Sequence, residues 1–321
     1  MPRPVVQITE QEIEDIKPQR IEFMRMMYGS SMPVLSSAIR GVIKARPGKM
    51  LYAGDFSSIE VRVLFWLAGN EKGLQGYREN KDIYIEMASI IFKKPKHLIS
   101  KDSFERFVGK QVVLGAGYGA GYKKFMIMCE GFGQPVKESV AKHAIETYRE
   151  YYSAVPAMWR NLEAAAIAAV RNPKKSFKVN KTRWFMQGEF LRCELPSGRR
   201  LAYHKPEVRN EQGFYGVVPK LYLWHWDKYV KGPKKWTQYG TWGGHLTENV
   251  TQATARCLMK FSGNNLSVSG YDQLFEVHDE IVNESIGGNL AEFKSLMAKT
   301  PEWANGLPVG VDAWSAERYR K

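Results

Sequence analysis

Met50–Ala68, MLYAGDFSSIEVRVLFWLA, changes period partway along. Met50–Ala53 is a short apolar strand, and Asp55 stands at its end. Phe56-Ser57-Ser58 turns the chain, after which Ile59, Val63, Leu64, Phe65 and Leu67 form an apolar stripe at helical spacing. Glu60 and Arg62 fall in the first turn of that helix. A carboxylate at the end of a buried strand, just before a helix, is a natural seat for a hard divalent cation. Mg²⁺ takes oxygen ligands and usually shares them with substrate phosphates. Taken alone, the stretch is more simply an ordinary strand-to-helix connection with Asp55 as N-cap. The remainder of the chain tips the balance.

The 321 residues are enough for one large domain or two smaller ones, and 44% hydrophobic content is globular. No apolar run reaches membrane-spanning length, so neither a transmembrane helix nor a membrane partner is expected. The opening MPRPVVQITEQEIEDIK lacks the basic-then-apolar order of a signal peptide. Cys129, Cys193 and Cys257 are too scattered for a disulfide framework or a zinc site, which fits a reducing, cytoplasmic setting. The formal net charge of +14 calls for a polyanionic partner. With no basic amphipathic anchor in the chain, nucleic acid leads over an anionic membrane surface. On charge alone, a protein that is merely basic remains an alternative.

Residues 1–35 are polar and helical in texture, punctuated by Pro2, Pro4 and Pro18. Arg40–Lys49 is basic and turns at Pro47-Gly48. The pattern predicts helices over Lys81–Phe92, Lys101–Leu114, Ser139–Tyr152, Ala157–Val170 and Leu246–Phe261. Residues 175–243, rich in Trp, Tyr, Gly and basic side chains with short alternating runs, read as strands and loops. Gln273–Glu284 is two apolar runs around His278-Asp279-Glu280, a hairpin pattern.

Two further clusters carry chemistry. Arg106, Lys110, Leu114 and Tyr118 recur every four residues and share one face if helical. Two cations and a tyrosine are not a core stripe; a solvated face is the usual alternative. The glycine-rich tail Gly115–Tyr122 weakens a helix end and lets something large lie against the backbone. An aromatic there could stack on a base, and Arg and Lys one turn apart could grip a triphosphate. His278-Asp279-Glu280 alone is a weak signal. Combined with Asp55 it is specific, because two carboxylates far apart in sequence, each at the end of an apolar strand, could meet on one sheet and hold two metals.

In this order the three clusters resemble the family A DNA polymerases, the bacterial polymerase I type, and most closely their phage branch. Asp55-Phe56-Ser57-Ser58-Ile59-Glu60-Val61-Arg62 matches the first family motif, Arg106, Lys110 and Tyr118-Gly119 the second, and His278-Asp279-Glu280 the third. Tyr148–Pro156, Trp159–Glu163, Leu195–Tyr203, Glu248–Arg256 and Trp314-Ser315 extend the likeness over nearly the whole chain. The resemblance implies an α/β fold: a palm sheet from residues 1–70 and 244–321, with largely helical fingers, residues 71–243, inserted between.

It further implies that Asp55 and Asp279, with the Phe56 carbonyl, bind two Mg²⁺ ions and that Glu280 is an accessory carboxylate. Arg106 and Lys110 would bind the incoming dNTP, with Lys110 also assisting the leaving group, and Tyr118 would lie near the nascent base pair. Glu60 would exclude a ribose 2′-OH. His278, Gln252 and Arg62 would lie near the primer terminus or nascent pair of a primer-template DNA. Phosphoryl transfer of this kind needs positioning and charge neutralisation, by two metals about 3.5–4 Å apart, and no nucleophilic side chain.

Three positions depart from the family pattern. Leu114 replaces a usual Phe or Tyr, Tyr84 stands where bacterial members have a phosphate-binding His, and Ser58 replaces a common Gln. Family members also carry several hundred residues before the first motif, with an exonuclease, a thumb and the first part of the palm. The expectation is therefore the C-terminal piece of a split polymerase of phage DNA replication in an infected bacterial host. Its partner would be an N-terminal subunit carrying thumb and exonuclease. A trimmed or minimal enzyme is the alternative to that split. A non-catalytic DNA-binding scaffold and a single-subunit RNA polymerase are the rival functions. The four residues Asp55, Asp279, Arg106 and Lys110 speak against the first, and Glu60 against the second.

Overall fold

The computed structural model describes residues 29–213, 216–226 and 235–319, with the single positions 22, 25, 26 and 233. The helical texture expected for residues 1–35 and the prolines at 2, 4 and 18 lie largely or wholly outside these. In chain order the elements are α1 (Ser31–Gly41), β1 (Met50–Phe56), α2 (Ile59–Ala68), α3 (Glu71–Arg78), α4 (Ile83–Phe92), α5 (Phe104–Ala116), α6 (Tyr122–Gly131), α7 (Glu138–Tyr151) and α8 (Ala154–Arg171). The β-rich stretch follows as β2 (Ser176–Val179), β3 (Thr182–Gln187), β4 (Phe190–Glu194), β5 (Arg200–His204), β6 (Glu207–Gly213), β7 (Gly216–Trp226) and β8 (Trp236–Thr241). Then come α9 (Gly243–Val268), β9 (Asp272–Val277), β10 (Glu280–Ser285), α10 (Leu290–Ala298) and β11 (Val311–Ala316).

The chain divides into two compact units. The first comprises Met1–Ser57, Met259–Thr300 and Val309–Lys321, and is built on an antiparallel sheet of order β11-β1-β10-β9. Alternation along β1 sorts its side chains. Tyr52, Gly54 and Phe56 face α10, where a Cβ on Gly54 would lie 2.3 Å from the Met297 sulfur. A glycine is needed there for the helix to sit that close. On the opposite face Leu51 and Ala53 join Val282 and Tyr319 in a buried cluster, flanked by Ile43, Phe275 and Trp314. Asp55 shares that face by strand parity.

The second unit, Ser58–Leu258 with Pro301–Pro308, holds α2–α8 and two antiparallel meanders, β2-β3-β4-β5 and β6-β7-β8. The long helix α8 packs against β2, β3, β6 and β7 as well as α2. Asp82 accepts from the backbone N–H groups of Tyr84 and Ile85 (2.9 and 3.1 Å), which sets the start of α4 at Ile83. The α5 N-cap is Ser103, whose hydroxyl accepts from Arg106 N. α4 and α5 touch at Gly109, where a Cβ would fall 2.2 Å from the Tyr84 carbonyl oxygen. This is the α/β architecture implied by the sequence motifs, with an antiparallel sheet and a helical inserted region.

Candidate active site

Asp55 is the sixth residue of β1 and does not cap the following helix. The N-cap of α2 is Ser58, in a left-handed conformation (φ 53) and without a side-chain cap bond. The simpler reading of Asp55 as an N-cap therefore fails, because the strand continues one residue past it. In register, Asp55 stands opposite Glu280 on β10 and opposite Asp312 on β11. Directly paired residues project to the same face, so three carboxylates form a row across the sheet. The β9–β10 connection is the tight turn His278-Asp279, with His278 in the left-handed region (φ 55). The Phe56 N–H donates to the Asp279 carbonyl (3.1 Å), which ties that turn to the end of β1. The structure thus brings Asp55, Phe56, Asp279 and Glu280 together at one end of one sheet, with His278 exposed beside them.

Two supports here were not read from sequence. Asp312 accepts from the Ser57 hydroxyl (2.7 Å), fixing the turn after β1. Tyr319 donates its hydroxyl to Glu280, which is only 2% exposed. The Tyr319 ring lies in the sheet's buried cluster with the Arg40 guanidinium 5.9 Å from its centroid. Burial, and after it the bond to Glu280, push the Tyr319 phenol well above its ordinary pKa, so it remains a donor. Both residues act through strand register and chain return, which no local pattern reveals.

The second unit carries the remaining predicted residues. Arg106, Lys110 and Leu114 lie along α5, with Lys110 and Leu114 exposed. The helix stops at Ala116, so Tyr118 follows it rather than extending its stripe. Arg106 donates from Nε to Asp82 (2.8 Å) and from Nη1 to the Lys101 carbonyl (3.2 Å), and its guanidinium lies 5.5 Å from the Tyr84 ring centre. The Tyr118 hydroxyl donates to Glu60 Oε2 (3.2 Å), so the first turn of α2 and the end of α5 meet. Burial first, then the adjacent Glu60 carboxylate, hold the Tyr118 phenol far above its ordinary pKa. Tyr84 shares a hydrogen bond with Ser58 (2.9 Å), and burial raises its phenol too. Arg62 stacks over Tyr77 (4.0 Å) and donates to the Pro308 carbonyl (3.2 Å). Gln252 is exposed on α9.

The glycine-rich tail does admit a large group, and that group belongs to the chain itself. A Cβ on Gly119 (φ 81) would come within 2.0 Å of the Trp242 indole, and one on Gly244 within 2.2 Å. Trp159 packs edge-on against Trp242 and donates Nε1 to the Gly117 carbonyl (2.9 Å).

The donor chemistry of the first unit fits Mg²⁺: carboxylates and a backbone carbonyl at strand ends are hard oxygen ligands. Among the described residues no group of three or more His, Cys, Asp or Glu side chains is arranged as a ready metal cage. Mg²⁺ sites completed by substrate phosphates seldom have one. No helix of the described residues is long and apolar enough to cross a membrane.

The chain is similar to known proteins in sequence and in fold. The family model for DNA polymerase family A matches residues 30–173. A DNA polymerase of Bacillus phage SP02 is 32% identical over 99% of this chain and 49% of its own length. The thermostable DNA polymerase I of Thermus thermophilus is 33% identical over 87% of this chain and 28% of its own. The chain therefore spans about half, or less, of the curated relatives it matches. Among solved structures, the POL domain of Pol1 from M. smegmatis, in complex with DNA primer-template and dNTP, aligns with a TM-score of 0.55 at 16% identity. That alignment covers 88% of this chain and 42% of that one, and it speaks to fold alone. With three spaced motifs, a palm-type sheet carrying the acids of two of them and these relatives in agreement, the chain is a homologue of the family A DNA polymerases, matched by the family model over residues 30–173.

Proposed function

We propose that the chain is the palm-and-fingers part of a DNA-templated DNA polymerase, adding deoxynucleotides to a primer 3′ end in phage DNA replication. The observation that carries this reading is the sheet-end constellation: Asp55 in register with Glu280, and Asp279 tied to Phe56 through the backbone. Asp55 and Asp279, with the Phe56 carbonyl, would hold Mg²⁺. The bound ions would neutralise charge developing on the transferred phosphoryl group and favour the ionised primer 3′-oxygen. Glu280, held by Tyr319, keeps a third carboxylate fixed beside Asp55.

In the second unit, Lys110 presents an exposed ammonium one turn from Arg106, and together they bind the triphosphate. Occupancy by a nucleotide requires Arg106 to share or exchange its bond to Asp82. Glu60, braced by Tyr118, excludes a ribose 2′-OH, while Leu114 and Tyr84 line the nucleotide's side of α5 and α4. Arg62, His278 and Gln252 contact the primer-template. The chain works with a separate N-terminal polypeptide that supplies thumb and exonuclease, in the cytoplasm of the host cell.

The test is primer extension at physiological salt by this chain alone and mixed with a polypeptide corresponding to the N-terminal half of its phage relative. Extension that appears or strengthens on mixing supports both parts of the reading. Processive extension by the chain alone overturns the need for a partner, and no extension by the chain either alone or mixed overturns the catalytic reading.

A further inference from the structure

The meander β6-β7-β8 has one face packed and one open. Leu221 and Leu223 of β7 are buried on its inner face, with Tyr239 and Thr241 of β8 opposite them in register. Parity puts Tyr222, Trp224 and Trp226 on the outer face, opposite Gly240, Gln238 and Trp236. Trp226 and Trp236 are 55% and 42% exposed, with ring centroids 5.4 Å apart and planes at 65°. Trp224 and Gln238 line a shallow groove of about 430 Å³.

Cations attend these rings. The Arg209 guanidinium lies 4.2 Å from the Tyr222 ring centre and the Lys220 ammonium 5.8 Å. Gly240 makes room for the lysine, because a Cβ there would come 2.4 Å from Lys220 Cε. Each of these cations is paired with an acid, Arg209 with Glu207 (2.7 Å) and Lys220 with Glu211 (3.0 Å), so contact with a phosphate requires them to share or exchange those bonds. Among the described residues of 205–241, Lys205, Arg209, Lys220 and Lys235 stand against Glu207 and Glu211.

We propose that this outer face is a stacking platform for single-stranded nucleic acid. Alternate residues of a strand stand about 6.8 Å apart, twice the roughly 3.4 Å rise of stacked bases, so one base fits between successive rings of the row. Aromatic rings accept any base, and the flanking cations meet the phosphates. Solvent-open sheets bearing aromatic side chains are a recurrent solution to single-strand binding. Three tryptophans and a tyrosine flanked by Arg and Lys fit a nucleic acid better than the aliphatic face of a protein partner. Assigning the strand as unpaired template rests on the polymerase reading above; the binding itself does not.

The test is fluorescence anisotropy of a labelled oligo(dT) with the full chain, compared with Trp226→Ala, Trp236→Ala and the charge reversal Arg209→Glu. Each alanine variant should weaken single-strand binding about 10-fold, Trp226→Phe should retain most of it, and binding should quench tryptophan fluorescence. The deficit of Arg209→Glu relative to the parent should widen as salt falls, since it replaces attraction by repulsion. Parent-like affinity in both alanine variants and in Arg209→Glu would overturn the platform, whatever else the surface binds. Nucleotide addition by the parent mixed with the N-terminal half, on a one-nucleotide overhang, is scored separately. Its failure would count against the polymerase reading while leaving a loss of oligo(dT) binding to stand.

Discussion

Asp55 lies between two other carboxylates, Glu280 and Asp312, in adjacent strand positions. Like charges directly opposite on a sheet destabilise it by roughly 0.2–1 kcal/mol per pair. Fold stability alone would not choose this arrangement, whereas the proposed cation site would offset the repulsion around Asp55. Asp55→Asn should therefore raise the unfolding free energy from urea melts in magnesium-free buffer by a few tenths of a kcal/mol or more while nucleotide addition is lost; a lower value would show that Asp55 serves the fold first. Glu60 gives a second test at this scale. Its carboxylate is held by Tyr118 at 3.2 Å, so its position is set rather than free to swing. Glu60→Ala should raise ribonucleotide incorporation relative to deoxynucleotide, read from single-nucleotide kinetics, because a gate that works by clash is relaxed when shortened. Unchanged sugar selectivity would remove Glu60 from that role.

Elements show where sequence reading ran out. The strand–turn–helix around Asp55, the His278-Asp279 hairpin and the cation stripe on α5 are local patterns, and all three appear in the fold. The helix start at Ile83 rather than Lys81 follows from Asp82, whose side chain takes the capping role while also binding Arg106. Tyr118 falls outside α5 because the glycines end the helix. The parts that stayed hidden depend on distant register: Asp312 across from Asp55, Tyr319 beneath Glu280, and Trp242 filling the space over Gly119.

Gly109 tests that packing argument. A helical Gly→Ala change ordinarily stabilises by about 0.5–1 kcal/mol, yet here the methyl would meet the Tyr84 carbonyl at 2.2 Å. Gly109→Ala should destabilise by about 1–3 kcal/mol in urea melts; a gain would mean that α4 and α5 separate at little cost.

Glu284 on β10 is the second case. Its carboxylate is 2% exposed and accepts from the Arg46 backbone N–H and Nε, both at 2.6 Å, with Lys49 at 3.6 Å. Burial opposes ionisation, but these donors win and hold the carboxyl below its ordinary pKa. The stabilisation is then complete above the unfolded value of about 4.3 and fades as pH falls through the folded one. Glu284→Gln should cost about 1–3 kcal/mol at pH 7 and progressively less below pH 4; a constant cost across that range would contradict the ionised pair.

At the scale of the whole molecule, the formal charge of +14 is the sequence feature that most constrains partners. Phosphate neutralisation makes affinity fall steeply with salt, by about 10³–10⁵ between 50 and 200 mM for six to ten contacts. Primer-template binding by this chain should show a clearly negative log–log salt slope, and the slope should steepen when an N-terminal half adds its own contacts. A flat slope would return the charge to mere basicity. The central claim is that Asp55 and Asp279 serve the chemistry and not the grip on DNA. It is tested most directly by measuring single-nucleotide addition and primer-template affinity side by side, for the parent, Asp55→Asn and Asp279→Asn, each mixed with the N-terminal half. Affinity should stay within about 3-fold of the parent, since neither carboxylate is assigned a phosphate contact, and addition should slow by at least about 10³-fold, as expected when several kcal/mol of metal-borne stabilisation are removed. Near-parental addition by either variant would contradict it.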